Sequence, residues 1–316
     1  MSDRIDTHHH IVPPVWVAAL REQSYFGGQP VPAWSEQLAL DVMDELGIAT
    51  AVTSVGRPGV HLGEAGRTAR LAREVNEFSA DLCRRYPQRF GFFASLPLPD
   101  VDAALAEVDH AFDHLGAAGV ILLTNVDGRY VGDPEWFPVL AALAERNAVV
   151  FVHPTAPVGP SVPGVAPFVA DFLLDTTRAA LNLVRHGVPR RLPQLRVILS
   201  HAGGFLPYSA FRIASLLEDA DGTPVDRDDC LAQLRTFWFD TALSASPSTL
   251  PALLAFAGSD RVLYGSDWPY ARGDNSQYFT AQLDAYPLDP QLRAGINADN
   301  ARALLPTLGG VPAGPR

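Results

Sequence analysis

Nine histidines occur in this chain, and four of them close short apolar runs, as does one aspartate. The first run reads Ile5-Asp6-Thr7-His8-His9-His10. Side chains alternate along a strand, so His8 and His10 share a face and His9 points the other way. Three further runs are Val149-Val-Phe-Val-His153, Val197-Ile-Leu-Ser-His201-Ala-Gly-Gly and Val262-Leu-Tyr-Gly-Ser-Asp267-Trp-Pro. An isolated His-x-His pair carries little information, and an incidental cluster is its ordinary explanation. Four histidines and one aspartate at four strand ends are a different matter, because polar residues where a barrel strand meets its loop read as catalytic rather than stabilising. Three neutral imidazoles and one carboxylate suit Zn2+, with Mn2+ or Fe2+ as alternatives. One histidine is then left over as acid or base, since imidazole titrates near neutrality.

Composition narrows the chemistry. The 316 residues include 24 basic and 35 acidic side chains, a formal charge of −11, and every basic residue is arginine. Without lysine there is no Schiff base to a carbonyl substrate or to pyridoxal phosphate. Nor is there a phosphate-gripping lysine of the P-loop or kinase kind. A metal pair bridged by a carboxylated lysine is excluded as well, so a mononuclear site is expected. The acidic balance argues against nucleic acid and anionic membranes as partners. No apolar run reaches membrane-spanning length, and the start lacks a signal-peptide pattern. Cys83 and Cys230, far apart, read as unpaired thiols in a reducing compartment, so the expected location is the cytoplasm.

The elements that must position these groups follow from the hydrophobic pattern. Eight near-continuous apolar runs are predicted strands: 4–8, 49–54, 90–95, 119–123, 149–153, 196–201, 237–241 and 261–265. Unbroken apolar runs are expected of parallel strands covered on both faces. Helical periodicity lies between them, over 64–86, 102–115 and 134–146, with Asp133 as N-cap before Pro134. Strand–helix alternation repeated eight times predicts an α/β fold, a (β/α)8 TIM barrel. A doubly wound sheet would need a Gly-rich first turn, where this chain has histidines. The long connections 9–48 and 154–195 are expected to be loop insertions after the first and fifth strands, on the active-site face. They carry Trp16, Tyr25, Phe26, Trp34, Phe168 and Phe172, which with Trp268 form either pocket walls or packing. The expected organisation is one metal-dependent barrel domain over residues 1–306 and a flexible tail over 307–316. Asp240, ending the seventh strand, reads as a hydrogen-bond acceptor for a histidine. Asn125, after the fourth strand, is either a substrate contact or a turn residue. His61, His110, His114 and His186 read as surface residues.

Asp-Thr-His-His-His, Phe-Val-His-Pro, Leu-Ser-His-Ala-Gly-Gly-Phe and Leu-Tyr-Gly-Ser-Asp-Trp-Pro together resemble the amidohydrolase superfamily. More narrowly they resemble its aminocarboxymuconate-semialdehyde decarboxylase-like branch, which includes the decarboxylases of salicylate-type acids such as 6-methylsalicylate. The resemblance spans roughly residues 4–306. It implies His8, His10, His153 and Asp267 as metal ligands. It implies that His201 orients or protonates, although in several barrels of the superfamily the matching histidine is a ligand. Resorcylate-type members carry glutamate at the first motif position, so His8 favours the semialdehyde and methylsalicylate patterns. Arg57 resembles the arginine that grips substrate carboxylate, to which a planar guanidinium fork is suited; a solvated arginine is the other reading. The resemblance also implies a homodimer.

The expected function is therefore a carbon–carbon lyase: a metal-dependent, non-oxidative decarboxylase of a small aromatic or enol-type carboxylic acid. Metal chelation would position the acid, and His201 or Asp267 would move a proton to the carbon that loses CO2. The alternative is a metal-dependent hydrolase of a lactone or amide, or a hydratase, using metal-bound hydroxide.

Overall fold

A strand built of consecutive apolar residues has no face to give to water and needs cover on both sides. In this chain eight such strands form one parallel sheet: β1 (Arg4–His10), β2 (Ile48–Ser54), β3 (Phe90–Ser95), β4 (Gly119–Leu123), β5 (Val149–His153), β6 (Arg196–Leu199), β7 (Trp238–Asp240) and β8 (Val262–Leu263). The structure is a computed structural model and describes residues 3–23, 31–271 and 274–308. Tyr25, Phe26 and the Gly309–Arg316 segment of the expected tail lie outside the described residues. Strand order follows the chain from β1 to β8. The two ends of the sheet meet through backbone bonds: Thr7 N–H to the Tyr264 carbonyl at 3.0 Å, Asp267 N–H to the His8 carbonyl at 2.8 Å, and His10 N–H to the Trp268 carbonyl at 2.7 Å. The fold is thus a (β/α)8 barrel.

Its interior is filled by Ile5, Val52, Phe93, Ile121, Val149, Phe151, Ile198 and Leu263, one residue from each of most strands and two from β5. A larger core lies between the strands and the surrounding helices. Each helix turns its apolar stripe inward. Helix α3 (Ala65–Arg85) buries Leu71, Val75 and Leu82 at spacings of four and seven. Between β1 and β2 the chain forms α1 (Pro14–Glu22) and α2 (Glu36–Glu45), the latter capped by Ser35, which accepts from Leu38 N–H. Asp100 caps α4 (Val101–His110) and Asp133 caps the turn that leads into α5 (Phe137–Glu145). The helix expected over 102–115 ends in a wider turn at Ala111–Leu115, closed by Gly116 at φ 71°. The connection after β5 carries α6 (Asp171–Arg185).

Among the strand ends that differ from the sequence expectation, two shape the site. β1 runs on to His10, and its pairing with β2 gains one residue between Asp6↔Ala51 and His9↔Thr53. Such an extra residue re-aims the side chains beside it. β6 stops at Leu199, because His201 (φ 52°) and Ala202 (φ 56°) turn left-handed.

Candidate active site

Alternation from the interior core places the next inward residue of each strand at the barrel mouth. These are Ser54 on β2, Ser95 on β3, Leu123 on β4, His153 on β5 and Asp240 on β7. From β1 come His8 and His10, and from the segment after β8 comes Asp267. His8, His10, His153 and Asp267 converge: their ligand atoms lie within 4.8 Å of one another, and all four residues are buried. His8 Nε2 is 3.1 Å from His10 Nε2 and 3.2 Å from Asp267 Oδ1, which is 3.1 Å from His10 Nε2.

The opposite ring nitrogens decide what those Nε2 atoms can do. His10 Nδ1 donates to the Ser54 carbonyl at 3.2 Å and His153 Nδ1 to the Pro154 carbonyl at 2.8 Å. A carbonyl only accepts, so Nδ1 carries the hydrogen and Nε2 presents a lone pair. His8 Nδ1 faces Asp240 Oδ2 at 2.8 Å, an acceptor of the same kind. Two imidazole lone pairs 3.1 Å apart, beside a carboxylate, need a cation between them. Three Nε2 atoms and a carboxylate oxygen are the donor set of a divalent-metal site, held from behind by carbonyl and carboxylate acceptors. Asp240 does this as the sequence suggests, and its Oδ1 also accepts from the backbone N–H of His201 at 2.9 Å and Ala242 at 3.0 Å.

The electrostatics agree with a cation site. Burial works against charge on His8, yet Asp240 and Asp267 outweigh it and raise its pKa to about 10. Burial lowers His10 and pushes His153 well below the ordinary imidazole value, helped by the neighbouring histidines. Burial alone would raise Asp267, but His8, His10 and His201 hold its carboxyl well below the usual range.

His201 sits beside this set. Strict alternation from Ile198 would aim Ser200 at the mouth; the left-handed turn swings His201 in instead, its ring 4.9 Å from that of His8 and 5.7 Å from that of His153. Its Nε2 lies 3.5 Å from Asp267 Oδ2, the oxygen that Asp267 does not turn toward His8 and His10. The glycines that follow permit the turn: a Cβ on Gly204 (φ +67°) would lie 2.0 Å from the Leu173 carbonyl oxygen.

The other expected residues are distributed around the mouth. Arg57 lies with its guanidinium over the Phe172 ring, 5.4 Å from the centroid. Asn125 holds a turn: Oδ1 accepts from Gly128 N–H at 3.2 Å, while Nδ2 reaches the Ala156 carbonyl and Asp175 Oδ2, each at 3.2 Å; it also lines a cavity. Of the aromatic candidates, Trp16, Phe168, Phe172 and Trp268 do not line one common pocket. Trp16 is fully buried and donates to the Gly59 carbonyl at 2.7 Å, Trp268 stacks on His9, Phe172 underlies Arg57 and Phe168 is exposed. His114 is exposed as expected, whereas His61, His110 and His186 are half-buried rather than surface residues. His61 bridges Thr68 Oγ1 at 3.3 Å and Asp127 Oδ2 at 3.0 Å, and His186 Nδ1 donates to the Asn182 carbonyl at 3.0 Å.

Two residues at the site escape sequence reasoning. Tyr270 stands edge-on to His10, ring centroids 5.0 Å apart, and its buried hydroxyl has no hydrogen-bond partner among the described residues. Burial and Asp267 raise its pKa, so the hydroxyl keeps its proton and can donate. Its only sequence signal is the Trp-Pro-Tyr that follows Asp267. Asp6 lies on the outer side of β1 and accepts from His8 N–H at 3.0 Å, Ser266 N–H at 3.1 Å and Ser266 Oγ at 2.6 Å, and pairs with His9 Nδ1 at 2.9 Å. It ties together the two segments that carry His8 and Asp267.

Comparison with known proteins agrees with this geometry. The amidohydrolase family model matches residues 5–307. A 6-methylsalicylic acid decarboxylase of Penicillium expansum is 37% identical over 319 residues, covering 98% of each chain. The crystal structure of an amidohydrolase II superposes with a TM-score of 0.89 at 32% identity, over 96% of this chain and 100% of the other. A dihydroxybenzoic acid decarboxylase from a Polaromonas species, with bound manganese and the inhibitor 2-nitroresorcinol, shares the fold with a TM-score of 0.78 at 23% identity, over 97% of each chain.

Proposed function

Because this chain belongs to the amidohydrolase family, we propose that it is a metal-dependent, non-oxidative decarboxylase of a small aromatic acid of the salicylate type. The observation that carries this reading is the convergence of His8, His10, His153 and Asp267 with His201 alongside, in a chain 37% identical to a 6-methylsalicylic acid decarboxylase. His8, His10, His153 and Asp267 would hold a divalent ion, which would supply Lewis acidity for an anionic substrate. Three imidazoles and a carboxylate favour Zn2+; Mn2+, the ion in the Polaromonas structure, and Fe2+ are the competitors, separated by elemental analysis of the purified protein.

This chain's own residues account for the rest. Arg57, whose guanidinium is stacked on Phe172, pairs with the substrate carboxylate, and the Tyr270 hydroxyl donates to a substrate oxygen. Asn125 serves as a further polar contact at the mouth. The His201–Asp267 pair holds the proton and delivers it to the ring carbon that bears the carboxylate. The carbon–carbon bond then breaks, its electron pair restores the aromatic ring, and CO2 leaves. No electron is gained or lost, so no redox cofactor is required. The test is CO2 release from 2-hydroxybenzoates in D2O, with one deuterium expected at the vacated ring position. Solvent 18O in the product acid, with no CO2, would instead establish a hydrolase.

One barrel domain over residues 1–306 is sufficient for this chemistry. A homodimer is supported by Tyr208, Phe211 and Leu216, large apolar side chains within nine residues of the chain that are 91%, 63% and 67% accessible. Light scattering on the eluted protein decides it. Among the described residues no helix is long and apolar enough to cross a membrane. The free thiols of Cys83 and Cys230 fit the reducing cytoplasm.

A further inference from the structure

The ligands take up one side of the barrel mouth only. β5, β7, the segment after β8 and β1 present His153, Asp240, Asp267, His8 and His10, all titratable. β2, β3 and β4 present Ser54, Ser95 and Leu123, all neutral. Over this neutral side lies a cavity of about 480 Å3. Ser95, Ile121 and Leu123 line it from the strands, and Leu96, Leu98 and Val126 from the loops above. None of the four ligands lines it, yet it abuts them. Val55, in its wall, follows Ser54, whose carbonyl holds His10; Thr155, also in its wall, is two residues beyond His153.

Its size is informative. Pockets that enclose a whole small ligand measure about 300–1,000 Å3, so this space is large for a single methyl group. Its chemistry is informative too. Among the described residues its lining contains no arginine, and the only ionisable groups are His61 and Asp127, which meet at 3.0 Å at the outer rim. That contact joins the loop after β2 to the hairpin after β4 and bounds the cavity on the solvent side. Asp127, largely exposed there, disfavours a second anion at the far end.

We propose that this cavity receives a neutral alkyl chain of several carbons on the aromatic ring of the substrate, ortho to the carboxylate. The proposal rests on the decarboxylase reading for its orientation. In a salicylate-type acid whose carboxylate and hydroxyl face the ligand side, a substituent on the other ortho carbon leaves the ring sideways, beside the carboxylate, which is where the cavity borders the site at Val55 and Thr155. The preferred substrate class is therefore 6-alkylsalicylic acids longer than the methyl compound.

Two measurements on the metal-loaded enzyme test this. The first is kcat/KM for 6-methyl-, 6-propyl- and 6-pentylsalicylic acid. The second is calorimetric Kd for the corresponding 3-alkylphenols, the decarboxylation products, which requires no turnover. Burial of the chain predicts tighter binding by up to about fourfold per added methylene. A pentyl chain ending in a carboxylate should bind more weakly than the plain pentyl chain. Val126→Trp, on the half-buried hairpin, and Leu96→Trp, each checked for an unchanged thermal transition, should bring the pentyl-to-methyl ratio toward one. A flat or falling series in the wild-type enzyme overturns the proposal, as does a ratio that neither variant changes. If no acid loses CO2 while the phenol series still tightens with length, the decarboxylase reading fails and the cavity assignment stands.

Discussion

At the scale of single residues the site separates groups that hold from groups that react. His201 is 3.5 Å from Asp267 Oδ2 and outside the ligand set. Its replacement by Asn should leave bound metal unchanged by elemental analysis and lower kcat by roughly 10²–10⁴, the range of a lost general acid. Asp240→Asn should act differently. It turns an acceptor for His8 Nδ1 into a group that can also donate, and it loosens the orientation of the imidazole. A chelator-competition titration should show metal affinity reduced about 10–100-fold. That His8, His10, His153, His201 and Asp267 belong to one site is legible in the sequence because each terminates an apolar run, and period-two alternation predicts that His8 and His10 share a face; the choice of four ligands among the five comes from the resemblance to the amidohydrolase superfamily. Tyr270 and Asp6 are not, because a tyrosine in a loop and an aspartate within a strand carry no local signal of the partners that make them important.

At the scale of elements, two backbone features aim these side chains. The first is the left-handed turn after β6. Gly204→Ala would put a Cβ against the Leu173 carbonyl in a conformation that only glycine enters readily. The backbone strain alone should cost about 1–3 kcal/mol, read as a lower urea midpoint, and turnover should fall because His201 is displaced. The second is the seam between β1 and the segment after β8, tied by Asp6. Burial opposes its charge, but hydrogen bonds from His9, Ser266 and the His8 backbone hold its carboxyl below the ordinary value of 3.8. A depressed carboxylate stabilises the fold above its unfolded-state pKa, and that contribution is lost as pH falls through the folded value. The metal-free protein should therefore lose stability as the pH drops below 3.8, and more steeply than Asp6→Asn, in urea titrations across that window. The sequence pattern places β6 through His201; the strand ends at Leu199 because the turn is stabilised by contacts with Asp240 and α6 that no local pattern encodes.

At the scale of the whole molecule, the metal site is a staple. Its ligands come from β1, β5 and the segment after β8, so an ion bound there links barrel strands that are far apart in the chain. Removal by a chelator should abolish turnover and lower the thermal transition; a ligand present at 100 times its Kd stabilises by about 2.7 kcal/mol. Calorimetry before and after dialysis, with recovery on adding Zn2+ or Mn2+, measures it. The number of strands, their parallel character, the polar residues at the strand ends and the exclusion of lysine chemistry are all determined by the sequence itself, because periodicity and residue type are local properties. Which strands meet is not local. His10 and Asp267 are 257 positions apart, and their 3.1 Å contact exists only because the twisted sheet closes on itself. The same closure divides the mouth into a titratable half and a neutral half with a cavity over it, a division decided by the order of the strands around the barrel rather than by any one of them.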